Sequence, residues 1–229
     1  DWSSDVCSSD LKSWPIDLEF QLMRARAEAL SMKDVSARET NLTSRNASGE
    51  ILQIANDYLR TLVAIRTGDL DQARRLLGPL RNQYPLNIPF QIAEVDLYLR
   101  AKQPDIAADR LDEALMISPG NYPLTVKKAD NMLALDRPEV ASQLLTEIAE
   151  KRPLDDAIWY QLAEVRGLAG DIIGVHQARA EYFFLNGDLE RAEKQLTYAQ
   201  PLARQNFQLS ERIRSRLDTF RDLRDDLER

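Results

Sequence analysis

The sequence is short of most things that chemistry at a site would need. One cysteine, Cys7, rules out an internal disulfide and leaves the redox compartment open. A single histidine, His176, cannot by itself make a zinc site or serve a nucleophilic triad. No H-E-x-x-H, G-x-S-x-G, G-x-x-x-x-G-K-[ST] or dinucleotide fingerprint occurs. Glycines number 8 and aromatics make up 7%, a composition poor in turn-dense β architecture. Positive charge is not in excess: the net charge of −7 argues against general binding to phosphate backbones. No apolar run approaches the ~20 residues of a membrane span, and no basic n-region with an apolar h-region opens the chain.

What is present is leucine, alanine, arginine, glutamate and glutamine, good helix formers, in a chain 44% hydrophobic and 29% charged. They recur with a period. Pro85, Pro119 and Pro153 are spaced by 34, as are Ala73, Ala107 and Ala141. Leu77, Leu111 and Leu145 keep the same spacing, and so do Leu80, Ala114 and Ile148. Each column has a physical reading. The alanine lets the second helix of a hairpin cross the first closely, and the larger apolar residue four positions on fills the groove on that face. The proline ends the second helix. Thr67-Gly68-Asp69 joins two helices, Gly supplying a left-handed cap and Asp capping the next helix. Gly170-Asp171 and Gly187-Asp188 repeat that turn, while Gln103-Pro104-Asp105 and Arg137-Pro138-Glu139 use a proline at the helix start.

A 34-residue helix hairpin resembles the tetratricopeptide family, here over roughly residues 54 to 200. The fold class expected is all-α, a tetratricopeptide-type helix-hairpin solenoid with a C-terminal capping helix. Full units are 54–87, 88–121 and 122–155. A fourth starts at Asp156, with Trp159, Leu162 and Ala163 at the large-large-small positions and Trp159 read as core. Gly170 and Gly187 then fall only 17 apart, so Ile172 to Asn186 is read as one helix shared by two hairpins, the last ending near Gln200. A charged helix from about Gln205 to Glu228, with Phe207, Ile213, Leu217, Phe220, Leu223 and Leu227 apolar, caps the end.

The domain reading follows: 1–11 leader, 12–33 amphipathic helix, 34–49 polar linker, 50–203 repeats, 204–229 capping helix. The opening string DWSSDVCSSDL looks like translated sequencing-adapter read-through, which would imply a missing upstream stretch; a native polar tail is the alternative.

First-helix positions line the groove of such repeats. The candidates for holding a peptide are Tyr58, Arg66, Asp96, Arg100, Asp130, Tyr160 and Glu164, with an ordinary solvated face as the other reading of each. Their signs are mixed, unlike a uniformly basic clamp. His176 is read as a structural histidine and Tyr182, Phe183 and Phe184 as core. Asp155-Asp156 suits a helix start, and Asp225-Asp226 a mixed charge face. No catalytic, metal or cofactor residue is assigned in this chain. Repeat proteins also stack end to end, so a dimer through a terminal hairpin stays open.

Two segments go further: Phe20-Gln21-Leu22-Met23-Arg24-Ala25-Arg26, and His176 through Asp188 with Leu189 and Ala192 after it. With the late charged helix they resemble the C-terminal half of the BepA-like periplasmic zinc metalloproteases. The resemblance implies an N-terminal zincin domain, with the zinc, outside this chain. It implies a periplasmic location, and a role for the repeats in holding outer-membrane assembly clients or machinery. No position here matches the family's zinc ligands or catalytic glutamate, so none is carried over. A free-standing repeat adaptor, periplasmic or cytoplasmic and with no enzyme attached, is the alternative.

Overall fold

The computed structural model describes residues 17–32 and 49–227. The leader, and the linker apart from Gly49, lie outside the described residues. Eleven helices follow one another, with no strand among the described residues. They are α1 (Leu18–Ser31), α2 (Glu50–Thr67), α3 (Leu70–Gln83), α4 (Ile88–Arg100), α5 (Pro104–Ile117), α6 (Tyr122–Ala134), α7 (Pro138–Lys151), α8 (Asp156–Leu168), α9 (Ile172–Leu185), α10 (Leu189–Leu202) and α11 (Phe207–Leu227). The chain divides, within α5, into two compact units, Asp1–Arg110 and Leu111–Arg229.

The period seen in the sequence sets the joints. Asn87, Asn121 and Asp155 precede α4, α6 and α8, each 34 on from the last. Asn87 accepts from the Phe90 amide at 3.3 Å and Asn121 from the Leu124 amide at 3.2 Å. Asp155 turns away from that job: its carboxylate accepts from the Tyr122 hydroxyl at 3.0 Å and pairs with Arg152. Inside each hairpin a left-handed residue recurs at the same interval, Gly68, Lys102, Asp136 and Gly170, all with φ between 57° and 90°. The sequence marked only the two glycines. Lys102 and Asp136 take the same backbone region at some steric cost. Pro104 and Pro138 start α5 and α7, as expected.

The repeated columns are core. Ala73, Ala107 and Ala141 are fully buried, as are Leu111 and Leu145, with Leu77 barely exposed. The pattern returns in α10 with Ala192, Leu196 and Ala199, half a period after its slot in the fourth unit. Between them α9 packs against both α8 and α10, the shared helix that the spacing predicted. It does so with small residues: Gly174, Val175, Ala178 and Ala180 are its buried set.

Three expectations need correction. Trp159 is half-buried rather than core; its indole N–H donates to the Pro153 carbonyl at 2.9 Å, latching α8 to the turn before it. Tyr182, Phe183 and Phe184 are half-buried too. Phe184 stacks on Phe220 of α11 at 4.8 Å, and the Arg216 guanidinium lies over both rings while gripping Glu181 with two hydrogen bonds of 2.7 and 2.5 Å. Of the apolar residues expected to seat α11, only Ile213, Leu217 and Phe220 are buried; Phe207, Leu223 and Leu227 face solvent.

Candidate functional site

In the N-terminal unit α1 packs on α2, burying Leu22, Ala25, Ala29 and Met32 in the same core as Tyr58, Leu59 and Phe90. Because α2 also packs on α4, the three helices leave a trough of about 530 Å³. Leu62, Ile65 and Leu99 give it an apolar floor, continued by Ala29 and Leu30. Arg26, Arg66 and Arg100 stand around it, with Asp96 the one carboxylate among the lining residues. Arg66 is fixed in place: its Nη1 donates to the Ala29 carbonyl at 2.8 Å, across from α2 to the end of α1. That bond satisfies a carbonyl of the last turn of α1, which lacks an intrahelical partner.

Arg66, Asp96 and Arg100, three of the groove candidates, therefore line one trough. Tyr58 is not with them at the surface. It is fully buried, its ring edge-on to Phe90 with centroids 5.4 Å apart. Burial raises its phenol above the ordinary value, the Arg26 guanidinium beside it pulls the other way, and the Asp96 charge adds a smaller push upward. The repeat position alone marked it as groove-lining. In this first hairpin, however, the face it occupies belongs to the core shared with α1.

Sequence reasoning missed Arg26 and Leu30, because α1 lies outside the repeat and no periodic column pointed to its docking on α2. The only signal was the amphipathic stretch itself, in which Arg26 ends the Phe20–Arg26 segment.

In the C-terminal unit the candidates are distributed differently. Asp130 accepts from Gln161 of α8 at 2.8 Å and pairs with Lys127 at 3.2 Å, so its carboxylate joins α6 to α8. Tyr160 is 54% exposed, its ring 5.4 Å from Tyr182, which itself lies 5.5 Å from Phe183. Glu164 faces Arg179 at 4.0 Å, a loose and solvated pair. Tyr160 thus begins an aromatic strip that runs from α8 onto α9. His176 is held structurally, its Nδ1 2.8 Å from the Gln195 side-chain oxygen and its ring 5.7 Å from Tyr198. Among the described residues no three histidine, cysteine or acidic side chains gather as a metal site would require. No helix among them is long and apolar enough to cross a membrane.

Residues 98–165 match the tetratricopeptide repeat family. The chain is 26% identical over 208 residues to the beta-barrel assembly-enhancing protease of Escherichia coli K12, covering 90% of this chain and 42% of that protein. The protein of the same name from Yersinia pestis is 26% identical over 219 residues, covering 94% of this chain and 45% of its own length. The chain thus spans less than half the length of these curated relatives. Among solved structures, a tetratricopeptide repeat protein from Parabacteroides merdae superposes with a TM-score of 0.51 at 13% identity, over 90% of this chain and 86% of that one. That likeness concerns the fold, an all-α arrangement of tetratricopeptide-type hairpins. Repeats of this kind are protein-binding scaffolds.

Proposed function

We propose, with the tetratricopeptide hairpins as the premise, that this chain is the client- and partner-holding part of a periplasmic zinc metalloprotease serving outer-membrane β-barrel assembly. The observation that carries the proposal is a match to a beta-barrel assembly-enhancing protease that extends over 90% of the chain, at 26% identity. In this reading the chain holds no cofactor of its own, zinc and catalysis belong to a protease domain, and the repeats hold polypeptide. Contacts to clients are assigned to Arg66, Asp96 and Arg100 in the N-terminal unit, and to Tyr160, Glu164 and the outer edge of Asp130 in the C-terminal unit.

The test is the DNA upstream of the Leu11 codon. An in-frame segment encoding H-E-x-x-H is the expected result. A stop codon followed by a local start would overturn the protease reading and leave a free-standing adaptor. Stoichiometric zinc binding with peptide cleavage by the purified chain alone would sink both.

A further inference from the structure

The trough of the N-terminal unit has an electrostatic character opposite to that of the molecule as a whole. The chain carries −7, yet the trough is lined by Arg26, Arg66 and Arg100 against the single carboxylate of Asp96. The three guanidiniums come from three different helices, α1, α2 and α4. The space between, about 530 Å³ floored by Leu62, Ile65 and Leu99, has the size and lining of a pocket for a large apolar group. Leu30, which also lines the trough, is 73% exposed, so its side chain is free to close over a group that enters.

Resting on the reading of this chain as a protein-binding scaffold, we propose that the trough takes an internal segment of a partner polypeptide in which a bulky apolar side chain is flanked by acidic residues. The apolar group enters between α2 and α4 and is covered by Leu30. The flanking carboxylates take forked hydrogen bonds from the guanidiniums, whose planar donors suit them better than a lysine would. Arg66 is already held by the Ala29 carbonyl, so less freedom is lost when the partner arrives. Asp96, on the same wall, disfavours segments carrying further acid at the centre.

The test uses the full chain and fluorescence anisotropy. The probe is a short labelled peptide, acetylated and amidated at its ends, with one Phe between aspartates in a Gly/Ser background. The unmodified protein should bind it, and higher salt should weaken the binding. Arg100→Glu, an exposed substitution, should weaken it about tenfold or more, and Leu30→Ser severalfold. Lysines in place of the aspartates, or Ala in place of Phe, should abolish measurable binding. Circular dichroism of both variants checks that the helices are retained. Undiminished binding by Arg100→Glu, binding of the lysine peptide, or binding only when the peptide's C-terminal carboxylate is left free would each overturn the proposal, as would no binding by the unmodified protein. A client protein captured equally well by both variants would also overturn the trough while leaving the scaffold reading intact. Loss of peptide binding in Arg100→Glu alongside no capture of outer-membrane precursors would support the trough and count against the protease reading alone.

Discussion

Helices α7 and α9 occupy the same slot one repeat apart, beginning at Pro138 and at Ile172, and they are built differently. In α7 the buried set is Ala141, Leu145, Ile148 and Ala149, while Glu139, Glu147 and Glu150 face solvent. In α9 the column of Leu145 holds Arg179, exposed, and the column of Ile148 holds Tyr182, half-buried. Both helices pack between two neighbours, α7 between α6 and α8 and α9 between α8 and α10, but the buried residues of α9 are the smaller set, Gly174, Val175, Ala178 and Ala180. A buried leucine in that register returns half a period later in α10, as Leu196 with Ala192 and Ala199 on the same buried face. A half-period insertion is thus accommodated by changing which residues are small, with no new type of contact.

This contrast can be broken by equivalent changes in the two helices. Leu145→Ala should cost about 2–5 kcal/mol in urea unfolding, from a fully buried leucine. Arg179→Ala, in the same column of α9, should cost less than about 0.5 kcal/mol, since its pair with Glu164 is long and solvated. Equal effects would refute the difference in buried residues between the two helices. Next in size, Ala178→Leu should destabilise by about 1–3 kcal/mol through overpacking between α8 and α10.

The same logic applies along a first-helix column. Val63, Leu97 and Val165 are buried apolar residues spaced by 34 or its double, and Asn131 stands among them, fully buried. Neither its amide nitrogen nor its oxygen has a hydrogen-bond partner among the described residues. Asn131→Val should therefore raise stability by about 1–2 kcal/mol, read from the denaturation midpoint. Smaller again, Gly68→Ala should cost about 1 kcal/mol, because Gly68 sits at φ 90° where an L side chain is strained.

The last contrast is with pH. Tyr58 and Tyr122 both have phenols raised in the folded state, Tyr58 mainly by burial, Tyr122 by burial and then by its hydrogen bond to Asp155. A raised folded value means that the unfolded chain loses its protons first. Stability is intact below the ordinary tyrosine range near 10 and declines as pH climbs through and above it. Tyr58→Phe should make that alkaline decline shallower, as seen in thermal melts across the range.

The hairpins were legible because their determinants are local and periodic: Ala73, Ala107 and Ala141 could be aligned with no knowledge of what they touch. The shared helix was legible from two Gly-Asp turns. Lys102 was not readable as a left-handed residue, since its type does not signal that conformation; Asp136 is of a type that enters it more often, and the register with Gly68 and Gly170 marks both. Asn131 was hidden for the converse reason, a polar residue in a column that implies an apolar one. The trough was half readable. Arg66, Asp96 and Arg100 follow from repeat position, whereas Arg26, Leu30 and the burial of Tyr58 depend on where a non-repeat helix docks.

Within each unit the principal packing partners are helices one or two places apart in the chain. Such proximity has a kinetic consequence. Little loop entropy must be lost before a contact forms, so each unit belongs among low-contact-order folds that assemble in microseconds to milliseconds. Opening follows the same geometry. A terminal helix such as α11 can peel away while α6 to α8 stay intact, and amide exchange along the chain is expected to be graded in steps of a hairpin. A binding surface made of such pieces can loosen at one end to admit a partner protein without the rest of the scaffold melting.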